Sequence, residues 1–177
     1  MYVYLLSTLP SFRPDDPPPM TVDDLVERCR PFLAPAEIAT LADPHSDPDA
    51  NAGPGGVARR WLDGEIQLRN AVARRRAAVW QVAAEGYQHE HRGFRVDIEA
   101  GVARAFEAPD PLQRERALDA LRWHLLDDVA GLAPWGFAGL FAYAMRLRLA
   151  QAWRERHPED GSQRLRAVLD RLEAHHV

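Results

Sequence analysis

The feature that most constrains this chain is a nearly all-apolar stretch at residues 137–153, with the sequence FAGLFAYAMRLRLAQAW. On a helical wheel its apolar side chains point in almost every direction, and its only charges are Arg146 and Arg148. A helix of this kind has to be surrounded by other helices. Seventeen residues with two arginines are too short and too charged to span a bilayer. We therefore predict a central core helix and no direct membrane insertion.

Start and stop signals predict further helices along the rest of the chain. Thr21 is a good N-cap with two aspartates in the next turn, Asp97 is a second N-cap, and Gly131 ends a third segment. Together with apolar residues at helical spacing, these signals predict helices at 22–30, 35–41, 57–85, 98–107, 112–130 and from residue 162 onward. The expected fold is a single all-α domain over residues 1–177.

Two segments are expected to depart from this helical pattern. Residues 2–6, YVYLL, are an apolar run too short for periodicity to separate a strand from the first turn of a helix, so at most one minor strand is expected. Residues 43–56, DPHSDPDANAGPGG, consist of turn formers and predict a flexible loop. The glycines of that loop lack the following Lys and Ser or Thr of a phosphate loop, so no nucleotide cofactor is predicted.

The longest predicted helix, 57–85, has one apolar stripe that extends to Val79 and a neighbouring stripe that extends to Trp80. Both stripes are expected to be buried. Glu65 and Arg69 lie four residues apart in the favourable order beside the first stripe. We therefore predict an intrahelical ion pair lying against the core.

The predicted helix at 112–130 places one arginine close to its core stripe. That stripe consists of Leu118, Leu121, Leu125 and Val129. Arg122 lies next to it and needs a partner, and Asp119 and Glu115 share its side of the helix. The sequence therefore predicts a local charge network among these three side chains.

The charge pattern gives no signal for nucleic-acid binding. The formal net charge is -4 at pH 7, and the basic residues are all arginine. Arg74, Arg75 and Arg76 are consecutive, so they spread around a helix instead of forming one basic face. We expect them on a solvated face with internal ion pairs.

The cysteine content and the N-terminus indicate a cytoplasmic protein. Cys29 is the single cysteine, which excludes an internal disulfide and a cysteine-rich metal site and fits a reducing compartment. The N-terminus lacks the basic start and the long apolar run of a signal peptide. The composition, 46% hydrophobic and 27% charged, is that of an ordinary globular chain.

Two histidine patterns keep a metal-dependent hydrolase open as an alternative function. His89 and His91 flank a glutamate, but residues two apart point to opposite sides of a strand and are poorly placed on a helix. His124 shares a helix side with Asp128 and lies three residues before Asp127. No second helix with matching ligands is evident, so surface positions are the simpler interpretation and no metal or catalytic site is predicted.

Four sequence pieces carry a resemblance to a known group of proteins. They are YVYLLSTLPSF at the start, EIQLRNAVARRRA in the long helix, RALDALRWHLLDD, and FAGLFAYAMRLRLAQAW before the final predicted helix. In this order they resemble a family of uncharacterised bacterial proteins encoded among the subunit genes of V-type (A/V-type) ATPases. That family is distantly similar to the stalk subunit called C in archaeal and bacterial enzymes and d in eukaryotes.

The resemblance implies an all-helical, non-catalytic protein whose partners are V-type ATPase subunits. The stalk subunit forms a socket between the rotary shaft and the membrane ring, so the implied location is cytoplasmic and peripheral at the membrane through the ATPase. The implied role is that of a subunit, an assembly factor or a regulator. The matching positions suggest a partner-binding set, listed here: Arg69, Asn70, Arg74, Arg75, Arg76, Trp123 and Asp127.

Trp123 has two interpretations. It lies outside the centre of the core stripe of its helix, as does Leu126. Either it is an exposed anchor for a partner, with Asp127 at the rim, or another helix of the same chain covers it. The sequence leaves both open.

Overall fold

The computed structural model describes residues 1–45, 56–131 and 134–155, and these residues form seven α-helices and no strand. The helices are α1 Tyr2–Thr8, α2 Val22–Cys29, α3 Pro35–Ala42, α4 Val57–Trp80, α5 Val96–Ala105, α6 Pro111–Ala130 and α7 Phe137–Glu155. A short 3-10 turn at Glu85–Tyr87 lies between α4 and α5. The predicted all-α fold is confirmed.

Helix α7 is the centre of the fold, as its sequence predicts. It packs against α1, α2, α3, α4 and α6. Leu140, Phe141 and Ala142 are consecutive, so they point in three different directions from the helix, and all three are buried because neighbours surround it. The apolar core takes buried side chains from all seven helices.

The N-terminal run forms the helix α1 and not the minor strand that the sequence allowed. The Leu5 amide donates to the Met1 carbonyl at 3.2 Å, and the Leu5 side chain is buried in the core. The ring of Tyr2 meets Phe137 of α7 edge-on, with centroids 6.3 Å apart. Two helical turns are enough here because they place Leu5 and Tyr2 on the side that faces α7.

Two of the described helices begin with a side-chain cap, α2 and α6. The Thr21 side chain and Asp24 form a reciprocal capping box at the start of α2, and Asp110 accepts from the Leu112 amide at the start of α6. The prediction that Asp97 caps α5 is wrong. The N-cap of α5 is Arg95, and Asp97 lies in the first turn, where its charge still favours the helix dipole.

Helix α4 ends at Trp80, five residues before the predicted end. Gln81 adopts a left-handed backbone with φ of 56°, and the Val82 amide donates back to the Ala77 carbonyl at 3.0 Å. This turn carries the chain off the helix axis. The predicted burial of Val79 and Trp80 is therefore wrong, and both side chains are exposed.

Helix α6 is buried over a wider surface than its predicted stripe. Leu118, Leu125 and Val129 are buried as predicted, but so is Leu126, which the wheel places outside the centre of that stripe. The reason is that α6 packs against α4, α5 and α7, so it has core contacts on more than one side.

Some sequence predictions fall outside the described residues. The predicted loop at 43–56 lies there for the most part, since residues 46–55 are not described. The predicted helix from residue 162 lies there entirely. Among the helices that are described, none combines the length and the apolar character needed to cross a membrane.

The start of α7 approaches the preceding chain so closely that only glycine fits at position 139. A Cβ atom on Gly139 would lie 1.7 Å from the carbonyl oxygen of Pro134. That oxygen belongs to the backbone and cannot rotate away as a side chain would. The turn into α7 therefore depends on the missing side chain.

We expect Gly139→Ala to lower the free energy of unfolding by about 3 kcal/mol, because the added methyl group forces the backbone apart. Gly64→Ala is the matched control, since a Cβ there meets only Leu125 and Ile98 at 3.8 and 3.9 Å. In the middle of α4 that change should stabilise the protein by about 0.5 to 1 kcal/mol. Denaturant unfolding of both variants measures the difference, and equal stabilities would contradict the close approach.

The hydroxyl of Tyr2 donates a hydrogen bond to the Glu37 carboxylate of α3. This bond raises the pKa of Tyr2 to about 12, with burial and the negative charge of Glu37 acting in the same direction. A phenol whose pKa is raised on folding stabilises the fold fully below its unfolded pKa of about 10. The contribution is lost as the pH rises through the pKa of the folded state.

We therefore expect stability to fall between pH 10 and 12 more steeply in the wild type than in Tyr2→Phe, which has no phenol to ionise. The chain contains no lysine, so lysine titration does not complicate this window. Thermal melting across the window is the measurement. Tyr4→Phe, at an exposed position of the same helix, is the control for the loss of a tyrosine hydroxyl from α1.

Candidate functional site

An open groove runs between the C-terminal half of α4 and the N-terminal half of α6, with a volume of about 440 Å³. Its floor is apolar and includes Leu68 and Val72 from α4 and Leu118 from α6. We call this feature the α4–α6 groove.

Three large apolar side chains form one edge of the α4–α6 groove and remain exposed. They are Trp80 at the end of α4, Val82 in the following turn, and Tyr87 in the 3-10 turn. Trp80 keeps 72% of its surface accessible. Apolar side chains clustered beside a concavity are typical of surfaces that contact another molecule.

The charged edge of the groove is dominated by arginine. Arg69, Arg76 and Arg122 line it, together with the single carboxylate of Glu115. Arg76 and Glu115 form an ion pair across the groove at 3.4 Å. The Arg69 and Arg76 side chains are 65% and 52% exposed, so their charges face solvent.

A buried ion network supports the groove from one side. The Glu65 carboxylate of α4 is buried and accepts from the Arg122 Nε at 2.9 Å and from the Arg69 Nε at 2.8 Å. Arg122 also pairs with Asp119 at 2.6 Å. Asp119 in turn accepts from the indole N–H of Trp153 at 2.6 Å. The network thus joins α4, α6 and α7.

Burial works to lower the pKa of Arg122, but the adjacent charges of Glu65 and Asp119 outweigh it and raise the pKa above its ordinary value. The guanidinium is therefore always charged. Its role in this arrangement is to hold two carboxylates of different helices, because all its hydrogen bonds go to them and an arginine does not release a proton in a protein.

The predicted charge network around Arg122 is partly right. Its pairing with Asp119 and the Glu65–Arg69 pair are both confirmed. The predicted pairing with Glu115 is wrong, because Glu115 turns towards Arg76 instead. Glu65, which lies 57 positions away along the chain, takes its place, and only the packing of α4 on α6 reveals that contact.

The partner-binding set expected from the long helix separates into two groups. Arg69 and Arg76 line the α4–α6 groove, and Arg75 is exposed next to them. Arg74 instead pairs with Glu99 of α5 at 2.7 Å. Asn70 is buried, and its amide exchanges two hydrogen bonds with the backbone of His89, at 2.7 and 2.9 Å.

Trp123 and Asp127 lie on another part of α6. The Trp123 ring meets Phe12 edge-on at 5.6 Å, and the Arg146 guanidinium of α7 lies over it at 5.2 Å. Asp127 accepts a hydrogen bond from Arg146. The structure thus shows the intramolecular packing that the sequence left open for Trp123, whereas a partner-binding role for this pair stays a prediction.

The two tryptophans should respond differently to truncation. Trp123→Ala removes contacts with Phe12 and Arg146, so we expect the free energy of unfolding to fall by about 2 kcal/mol. Trp80→Ala removes an exposed ring and should change it by less than about 0.5 kcal/mol. Chemical denaturation measures both. A Trp123→Ala variant as stable as the wild type would mean that this packing contributes nothing.

The candidate hydrolase residues are placed apart. His124 is 81% exposed, with its Nδ1 3.9 Å from an Asp127 oxygen. Asp128 pairs instead with Arg95 at 2.5 Å, and Asp127 pairs with Arg146. Among the described residues, which include His89 and His91, no group of three or more His, Cys, Asp or Glu side chains could hold a metal ion. The hydrolase alternative itself stays a prediction.

The groove edge was missed by sequence reasoning. Trp80 and Val79 fit the apolar stripes of the long helix, so the wheel assigns them to the core. Gln81 is the residue that turns the chain, and a glutamine gives no such signal, since glycine or asparagine usually takes this conformation.

Residues 98–176 are similar to a family model described as a protein of unknown function (DUF2764). The similar segment begins within α5 and includes α6 and α7, so it contains Asp119, Arg122 and Trp153 of the ion network. Helix α4, which supplies the other half of the α4–α6 groove, lies before it. Neither a comparison with curated proteins nor one with solved structures finds a match.

Proposed function

We propose that this protein is a non-catalytic interaction subunit or accessory protein of a V-type ATPase. The observation that carries the interaction role is the exposed apolar edge of the α4–α6 groove, formed by Trp80, Val82 and Tyr87. The link to the ATPase comes from the sequence resemblance to the family encoded among its subunit genes. A structural subunit, an assembly factor and a regulator all remain within this proposal.

The residue types at the groove favour protein binding. Tryptophan and tyrosine are enriched among the side chains that contribute most to protein interfaces, and arginine is the charged residue found there most often. Trp80, Tyr87 and Arg76 bring all three types to one concavity. An interface built on them would bury apolar surface that now contacts water, and that burial would drive association.

The ATPase would then place the protein at the membrane surface without insertion. Such a location needs only a partner that is itself bound to the membrane ring. The implied cytoplasmic and peripheral location is part of the same proposal and depends on the same partner.

We expect the tagged protein, purified from its native host, to bring V-type ATPase subunits with it. Trp80→Ala should reduce their recovery, because truncating an interface anchor weakens binding by more than about 1 kcal/mol. Trp135→Ala is the matched control, since Trp135 is also exposed, at 58%, but does not line the groove. Quantitative mass spectrometry of the three preparations gives the measurement.

Two results would contradict the proposal. One is a purification that recovers no ATPase subunit. The other is a monomeric preparation that carries a stoichiometric metal and hydrolyses a substrate, with the activity lost in His124→Ala or Asp127→Ala, which would support the hydrolase alternative.

A further inference from the structure

We propose that the α4–α6 groove binds one amphipathic helix of a partner protein, which lays an apolar stripe on the groove floor and presents carboxylates to Arg69 and Arg76. This deepens the proposed function and rests on it, because the helix would belong to the interaction partner. It names the chemistry of the partner surface.

The shape of the groove fits a helix. Its two walls are helices that pack against each other, α4 and α6, and the surface between two packed helices is a groove into which the side-chain ridge of a third can fit. The apolar floor comes from both walls: Val72 and Ala73 of α4 remain partly accessible, and Leu68 and Leu118 are buried. A helix with apolar residues at i, i+3, i+4 and i+7 presents a stripe that matches such a floor.

The spacing of the exposed arginines fits the same occupant. Arg69 and Arg76 are seven residues apart on α4, which is two helical turns or about 10 Å along the axis. Two acidic residues seven apart on a second helix that lies along the groove have the same spacing. A helix therefore satisfies both arginines with carboxylates from one of its faces.

Both arginines keep hydrogen-bond donors available. Arg69 uses its Nε for Glu65, and Arg76 uses one terminal nitrogen for Glu115 at a long 3.4 Å. Within the described part of the chain, their other guanidinium nitrogens make no hydrogen bond. A carboxylate is the group that such a planar donor pair binds best. The partner helix is therefore acidic along the edge that faces α4.

A second copy of this chain is a poorer occupant. A symmetric contact through the same face would bring the two grooves together, and with them two copies of Arg69 and Arg76. Like charges held against each other at an interface cost free energy and disfavour that pairing. The charge of the rim thus selects an acidic partner over self-association.

The test uses the full-length protein and two labelled synthetic helical peptides with leucines at i, i+3, i+4 and i+7. One peptide carries two glutamates, seven residues apart, on one side of the leucine stripe. In the other peptide lysines replace those two glutamates. We expect fluorescence anisotropy to show binding of the glutamate peptide and binding at least about tenfold weaker for the lysine peptide.

Protein variants locate the binding to the groove. Trp80→Ala should weaken binding of the glutamate peptide about tenfold or more, and Trp135→Ala should not change it. Arg76→Gln should reduce the preference for glutamate over lysine while leaving apolar binding in place. Circular dichroism checks that each variant is folded, and Val82→Ser is a second groove variant should Trp80→Ala be unstable.

Several outcomes would overturn the proposal. They are no binding of the glutamate peptide, equal binding of both peptides, and equal loss of binding in Trp80→Ala and Trp135→Ala. A wild-type dimer by light scattering that Trp80→Ala converts to a monomer would assign the groove to a second copy. If the photo-crosslinker benzoylphenylalanine replaces Trp80 and crosslinks within its own chain, the occupant of the groove would be a segment of the same chain.

The peptide test and the copurification test fail independently. The peptide test uses only the purified protein, so the peptide can bind even when no ATPase subunit is recovered. That result would refute the proposed partner and support the groove as a binding site for an acidic helix. Recovery of ATPase subunits that Trp80→Ala leaves unchanged, without any peptide binding, would keep the proposed function and refute the groove as its surface.

Discussion

The buried carboxylate of Glu65 is the interaction on which the rest of the structure depends. A charge removed from water is tolerated only when it is paired and hydrogen-bonded, and Glu65 meets this condition through Arg122 of α6 and Arg69 of its own helix. Asp119 continues the network to the indole of Trp153 on α7. Because hydrogen bonds are directional, this network favours the relative position of the three helices in which all its bonds form, whereas apolar contacts depend less on direction.

The same network connects the core to the surface. On its inner side, α7 is enclosed by five other helices and contributes fully buried residues such as Phe141. On its outer side, Glu65 holds the Nε of Arg69, so this guanidinium stays at the edge of the α4–α6 groove. An exposed arginine loses side-chain entropy when it binds a partner, and one that is already held loses less. The Glu65–Arg69 pair therefore stabilises the fold and also reduces the side-chain entropy that Arg69 would lose on binding an acidic ligand.

The parts of this fold that sequence could predict are those set by neighbours along the chain. The central helix, the capping box at Thr21, and the pairs Glu65–Arg69 and Asp119–Arg122 all depend on residues within one or two turns. The contact between Arg122 and Glu65 could not be predicted, because it requires knowledge of which helices pack together. The end of α4 could not be predicted either, since Gln81 turns the chain without a recognised stop signal.

The two tryptophans, Trp80 and Trp123, show what a helical wheel does not predict. A helical wheel gives the direction of a side chain but not what lies there, so it assigns Trp80 to the core and leaves both interpretations of Trp123 open. Phe12, from the proline-rich connector after α1, reaches Trp123 and covers its edge. The chain after Trp80 turns away at Gln81, so the ring stays exposed beside an apolar floor. Removing water from an apolar ring is favourable, and the described helices leave most of the Trp80 ring in contact with water.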